Sequence, residues 1–201
     1  MARRNDESAD SDQAREAREA LQRLNDENAL LRAALADARA QLTEADENAG
    51  RDPLTSLADA RKFRGELERV VSQAGRHKIP AALISVDVDD LKAVNEGHGR
   101  VAGDAALRHV AKLLKNLIRS SDIAARNGGG AFSLLLDHLD ADSALDTAER
   151  IARCVTDHPL DLGHAQVKLS ATVSVASILP GDSVEEVLRR AARNRERVKE
   201  F

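Results

Sequence analysis

Aromatic side chains are almost missing from this chain: its 201 residues include no Trp, no Tyr and only three Phe, at 63, 132 and 201. The core must therefore be aliphatic, and a hydrophobic content of 42% supplies enough material for one. Cysteine is as scarce. Cys154 stands alone, so no internal disulfide can form, and its setting in Ile151-Ala-Arg-Cys-Val155 reads as the buried side of a helix rather than a redox centre. No apolar run reaches the length that spans a bilayer, and the charged N-terminus does not read as a secretory leader. A cytoplasmic location is the expectation. Strong net charge is missing too: 30 Lys and Arg against 34 Asp and Glu leave −4, which gives no general attraction to nucleic acid or to an anionic membrane. The six histidines show no metal-ligand spacing. The basic run Arg189 to Arg197 lacks aromatic neighbours and is broken by apolar residues and Glu196, so it reads as a solvated helix face.

What the sequence does have begins after residues 1–12, which are polar and expected to be disordered. Over residues 13–49 apolar side chains recur at alternating spacings of three and four: Ala14, Ala17, Leu21, Leu24, Leu31, Leu35, Ala38, Leu42, Ala45 and Ala49, with Asn28 at one inner position. That is a heptad seam. A single polar Asn in such a seam favours two strands in register, and Glu27 can reach Arg32 of a second chain. The expectation is a parallel homodimer through residues 14–49, the other reading being one long amphipathic helix folded back on the domain. Gly50 and Pro53 then end the helix.

The remainder, 52–201, reads as one α+β domain. Asp52-Pro-Leu-Thr-Ser-Leu predicts a turn, followed by a capped helix with Phe63, Leu67 and Val70 facing inward. Ala81 to Val86 is a buried strand. Asp104 is expected to cap a helix starting at Ala105, with Leu107, Val110, Ala111, Leu114, Leu117 and Ile118 on its inner face. Asn127-Gly128 between two apolar runs is a strong hairpin signal, with positive φ needed at both turn residues. A second helix carries Ala144, Leu145, Ala148, Ile151, Ala152 and Val155 inward. Leu169, Ala171, Val173 and Val175 alternate with Ser and Thr as in a half-buried strand. Ser183 and Glu186 form a capping box for the last helix. Strands separated by helices, with a hairpin between, give an antiparallel-containing sheet covered by helices.

Two stretches carry a resemblance. Asp52-Pro-Leu-Thr-Ser-Leu-Ala-Asp-Ala-Arg-Lys-Phe63 is similar to the opening of GGDEF domains, with Ser56 in place of Gly, Asp59 of Asn and Ala60 of Arg. Gly128-Gly129-Gly130-Ala131-Phe132 resembles the hairpin that gives this diguanylate cyclase family its name, Gly-Gly-Asp/Glu-Glu-Phe, with both acidic residues replaced. The resemblance implies a central, mostly antiparallel sheet covered by helices. It also implies a reaction in which two GTP molecules are joined into cyclic di-GMP, using Mg²⁺ held by hard carboxylate oxygens. One metal carboxylate in the family ends the first strand, where Asp87 stands. The other comes from the hairpin, where Gly130 and Ala131 offer no side-chain oxygen. Losing both should cost orders of magnitude in rate. Asp89 or Asp90 could compensate only by swinging in, and both read otherwise as turn-capping residues.

Asn95 and Asp104 match the family's guanine-contacting positions, so that GTP could still bind weakly at this vestigial site, and Lys199 matches a phosphate-contacting Lys. Its lead-in is altered at Ala192 and Glu196. The family also binds its own product at an inhibitory Arg-x-x-Asp site placed five residues before the hairpin glycines. Arg119-Ser-Ser-Asp122 matches that motif, with Arg150 at the place of a further Arg on the next helix. Arg can bond guanine O6 and N7 while a carboxylate accepts from N1 and N2. Taken alone, the pair also reads as a helix-end ion pair. The expectation is thus a catalytically inactive, dimeric receptor for cyclic di-GMP that needs no cofactor. A cyclase with weak residual activity on GTP and Mg²⁺, or a ligand-free scaffold for an unknown protein partner, are the alternatives.

Overall fold

The computed structural model describes residues 22, 25, 27–39, 50–89 and 91–200, and the chain divides into two units, Met1–Ala49 and Gly50–Phe201. In the first unit residues 27–39 are helical (α1). Asn28, Leu31, Leu35 and Ala38 of the heptad seam fall on this helix, where Leu31 and Leu35 are 64% and 51% exposed. The other seam positions and the N-terminal stretch lie outside the described residues.

The second unit runs α2 (Ala60–His77), β1 (Ala81–Val88), α3 (Leu91–His98), α4 (Arg100–Leu117), β2 (Ile123–Gly128), β3 (Ala131–Asp137), α5 (Ala141–Asp157), β4 (Leu160–Asp161), β5 (Gln166–Val167), β6 (Ala171–Ile178) and α6 (Val184–Lys199). Four strands form one sheet in the order β2-β3-β1-β6, and every neighbouring pair is antiparallel. β1 is apolar on both sides because both faces of the sheet are covered. Ile84, Val86 and Phe132 pack with Val110, Leu114 and Ile151 on one face, and Leu83 and Leu135 pack with Leu67, Val70 and Val187 on the other. Each fully buried Leu or Val stabilises the fold by roughly 1.5–3 kcal/mol. Apart from Phe63 and Phe132 the described core is aliphatic, with many small Ala side chains.

Helix boundaries follow their caps. The Asp59 carboxylate accepts from the Lys62 N–H to start α2, Asp140 does the same at Ser143 for α5, and Ser183 with Glu186 forms the expected reciprocal box on α6. Asp104 does not cap. α4 begins at Arg100 with Gly99 in the N-cap position, so Asp104 lies within the helix and faces solvent. Gly99 at φ 83 takes a conformation that costs other residues strain, and this moves the boundary upstream. The helix α3 and the two-residue strands β4 and β5 have too little periodicity to be read from sequence.

Three burial expectations change. Ser174, read as part of a polar face, is 5% exposed because α6 covers it. Leu145 is 55% exposed rather than inward, and Cys154 is half-buried rather than buried. Burial, followed by the charge of Asp157, pushes the Cys154 thiol up and away from thiolate chemistry. β6 is an edge strand, and two of its outward carbonyls are taken up by α6, Ser177 by the Arg190 guanidinium and Val175 by the Asn194 amide. Arg190 is also held in a two-pronged pair with Asp182 (2.7 and 2.8 Å), so the basic run is only partly a solvated face. No described helix is long and apolar enough to cross a membrane.

Candidate functional site

Antiparallel register brings the end of β1 against the hairpin and the start of β6: Asp87 lies opposite Ala131 on one side and Thr172 on the other. The hairpin turns at Gly129-Gly130, since Gly128 pairs with Ala131. Gly128 and Gly129 carry the positive φ values, 108° and 53°. Asn127 does not. Its amide instead donates to Ser133 Oγ at 2.7 Å, so the glycine tip stands as expected while the turn lies two residues further on. Phe132, 1% exposed, anchors the tip in the core. Arg126 fixes the turn from beneath, donating twice to the Gly129 carbonyl (2.9 and 3.2 Å) and once to Asp52 Oδ2 at 2.9 Å. Burial raises the Asp52 pKa, but the Thr55 hydroxyl and N–H together with Arg126 outweigh it, leaving this carboxyl below its ordinary value.

Around Asp87 a cavity of about 540 Å³ is lined by Asp89, Gly130, Ala131, Thr172 and Lys199. Among the described lining residues the carboxylates are Asp87 and Asp89, and Asp87 already has cationic neighbours. Lys199 Nζ lies 3.3 Å and Arg195 Nε 3.7 Å from Asp87 Oδ2, an oxygen with no hydrogen-bond partner. Asp89 has not swung in, because its two oxygens accept from the hydroxyls of Thr172 and Ser170 at 2.8 and 3.3 Å. Asp90 lies outside the described residues. A Cβ at position 130 would stand 3.2 Å from the Val88 carbonyl, so a side chain there requires the strand end to yield. No group of three His, Cys, Asp or Glu that could hold a metal occurs among the described residues. Asp87 flanked by two cations, with the Asp89 oxygens engaged by hydroxyls, does not fit the Mg²⁺ that the cyclase reaction uses.

Asn95 and Asp104 lie on adjacent helices. The Asn95 amide rests on Gly103, so closely that a Cβ there would overlap Asn95 Oδ1, and Asp104 follows on the exposed side of α4. Gly103 is what lets α3 and α4 approach here.

The second region lies where α4 ends. The Asp122 carboxylate closes the loop by accepting from the Arg119 N–H at 2.9 Å, while the Asp122 N–H donates to the Arg119 carbonyl at 3.1 Å. The helix-end ion pair does not form. The Arg119 side chain is exposed and lines, with Asp122, a cavity of about 500 Å³ bounded by residues 56–58 and the first turn of α2. Arg150 reaches from α5 to the Leu117 carbonyl at 3.4 Å. It stands beside this loop but does not line the cavity.

Four basic residues escaped the sequence reading. Arg195 is one helical turn before Lys199 and therefore on the same face, a spacing that could have revealed it. Arg126 lies in the strand leading to the glycines, and Lys62 and Lys115, also on the second cavity's wall, carry no motif.

Residues 49–200 match the family described as "Diguanylate cyclase, GGDEF domain". The chain is 38% identical over 122 residues to the probable diguanylate cyclase DgcE of Escherichia coli, covering 61% of this chain and 11% of that protein. It is 32% identical over 143 residues to the response regulator PleD of Caulobacter vibrioides, covering 70% of this chain and 32% of PleD. It thus spans a third or less of either relative. Among solved structures, the coiled coil and GGDEF domain of DgcB from Caulobacter crescentus in complex with c-di-GMP has a TM-score of 0.82 and 27% identity, covering 88% of this chain and 94% of that one. Diguanylate cyclase SiaD with its activator SiaC from Pseudomonas aeruginosa has a TM-score of 0.74 and 26% identity, covering 100% of this chain and 75% of that one. With sheet order, hairpin and family match in agreement, this chain belongs to the GGDEF family.

Proposed function

We propose that this protein is a catalytically silent GGDEF domain that acts in the cytoplasm as a dimeric receptor for cyclic di-GMP. The observation that carries this reading is a contrast of charge. At the old catalytic pocket Asp87 is paired with Lys199 and Arg195, and neither Gly130 nor Ala131 supplies an acid. At the Arg119 loop a guanidinium stands exposed at a cavity with its partner Asp122 fixed in place. Asp122 accepts from backbone N–H groups, yet a carboxylate has about four lone-pair sites, so it can still accept from guanine. Arg119 supplies the opposing donors, and Arg150 stands beside the same loop, on the Leu117 carbonyl. The c-di-GMP complex of DgcB supports the choice of ligand. The exposed leucines of α1 support assembly through residues 14–49. Binding in this way requires no metal.

Titrating the purified protein with cyclic di-GMP, with Arg119→Ala beside it, tests the reading. Saturable binding that the variant loses is expected, and no binding by the unaltered protein would remove the receptor function. A second reading, a cyclase with weak residual activity, is favoured by the retention of Asp87, Asn95 and Asp104. Cyclic di-GMP formed from GTP and Mg²⁺, and lost in Asp87→Ala, would establish it.

A further inference from the structure

We infer that Lys62 and Lys115 are phosphate-binding residues of the Arg119 cavity and set its preference for a ligand that carries phosphate charge. This rests on the receptor reading above and extends it to residues outside the Arg-x-x-Asp motif. The cavity wall holds four cations, Arg51, Lys62, Lys115 and Arg119, against the single carboxylate of Asp122. Arg51 spends one donor on the Ser56 carbonyl at 3.1 Å, and Asp122 faces the Arg119 N–H. Lys62 and Lys115 are both exposed. They come from different elements, the first turn of α2 and the last turn of α4, so their charges meet only at this concavity. A concave wall on which cations outnumber carboxylates concentrates the counter-charge of a ligand.

Base recognition does not use this charge. A guanine edge is neutral and is read by Arg119 with Asp122, whereas a phosphodiester oxygen keeps its negative charge at neutral pH and suits an ammonium as a point-charge partner. A cyclic dinucleotide brings two such groups beside its bases. The lysines therefore supply affinity and salt sensitivity, and the Arg-Asp pair supplies base identity.

The experiment is a calorimetric titration of the full chain with cyclic di-GMP at several salt concentrations, for the unaltered protein, Lys62→Gln, Lys115→Gln and the double variant, with guanosine as a phosphate-free probe. Gln keeps most of the Lys62 stem that packs on Gly50, and unchanged melting temperatures will show that folding is intact. Each single change is expected to weaken cyclic di-GMP binding about tenfold, the scale of one charge-assisted contact, and the double variant to show a flatter salt dependence and little effect on guanosine. If the unaltered protein binds and the double variant matches it in affinity and salt dependence, the lysine assignment is overturned while the receptor reading stands. If the unaltered protein does not bind, both fall together.

Discussion

Two regions of the same domain hold the charged groups that nucleotide chemistry needs, and they treat charge in opposite ways. At the end of β1 the charge is settled within the chain: Asp87 has Lys199 and Arg195 beside it, and the hairpin contributes glycine and alanine. At the end of α4 charge is left over, with Lys62, Lys115 and Arg119 around one cavity and a single carboxylate among them. A site whose charges are neutralised internally has little to offer a phosphate or a cation. One whose charges are left facing a concavity has a reason to bind.

Arg126 links the two regions, because it holds both the hairpin tip and Asp52, which adjoins the second cavity's Arg51. The largest effect is therefore expected from Arg126→Ala. It leaves Asp52, 13% exposed, without its cation, and breaking so covered a pair should cost about 3 kcal/mol in urea unfolding. A loss below about 1 kcal/mol would mean that the pair is effectively solvated.

Acid offers a second probe. Asp182 is held below its ordinary 3.8, first by the Arg190 side-chain bond and then, against the cost of burial, by the Leu179 N–H. A carboxyl with a lowered folded pKa contributes stability that is complete above its unfolded value and is lost as pH falls through the folded one. Melting temperature should thus be flat down to about pH 5 and fall below about pH 4, and Asp182→Asn should lessen the fall. An unchanged acid limb in that variant would put the titration elsewhere.

Ser56 lines the Arg119 cavity and sits at φ 59, a left-handed conformation that an L side chain adopts under strain. Ser56→Gly should raise stability by roughly 0.5–1 kcal/mol and leave ligand affinity unchanged. The smallest effect is expected for Lys199→Ala. Its ammonium is half-exposed, so the stability loss should stay under about 1 kcal/mol, and cyclic di-GMP affinity should not move. A drop in that affinity would show that the two regions are not separate.

Much of this was legible in the chain itself. Phe63, Leu67 and Val70 recur at helical spacing and do face inward, and Ser183 with Glu186 marked the start of α6. Asp87 followed from its place at the end of the first strand, and Arg119 with Asp122 from a motif at a fixed distance from the glycines. What could not be read depends on contacts far apart in sequence. Arg195 and Lys199 reach Asp87 across more than a hundred residues, and Lys62 and Lys115 line one cavity, beside which Ala58 bridges to Ala125 of β2. Ser174 reads as polar until α6 is laid over it, and Asp104 reads as a cap until Gly99 moves the helix start upstream.

The contrast itself is tested most directly by melting the protein with each nucleotide in turn, because a ligand that prefers the native state must raise the melting temperature. Cyclic di-GMP should raise it by several degrees in the unaltered protein but not in Arg119→Ala, since 1 kcal/mol of binding is worth about 2–8 °C in domains of this size range. GTP with Mg²⁺ should leave it where it was and yield no cyclic product. The reverse pattern, a shift with GTP and Mg²⁺ and none with cyclic di-GMP, would contradict the account.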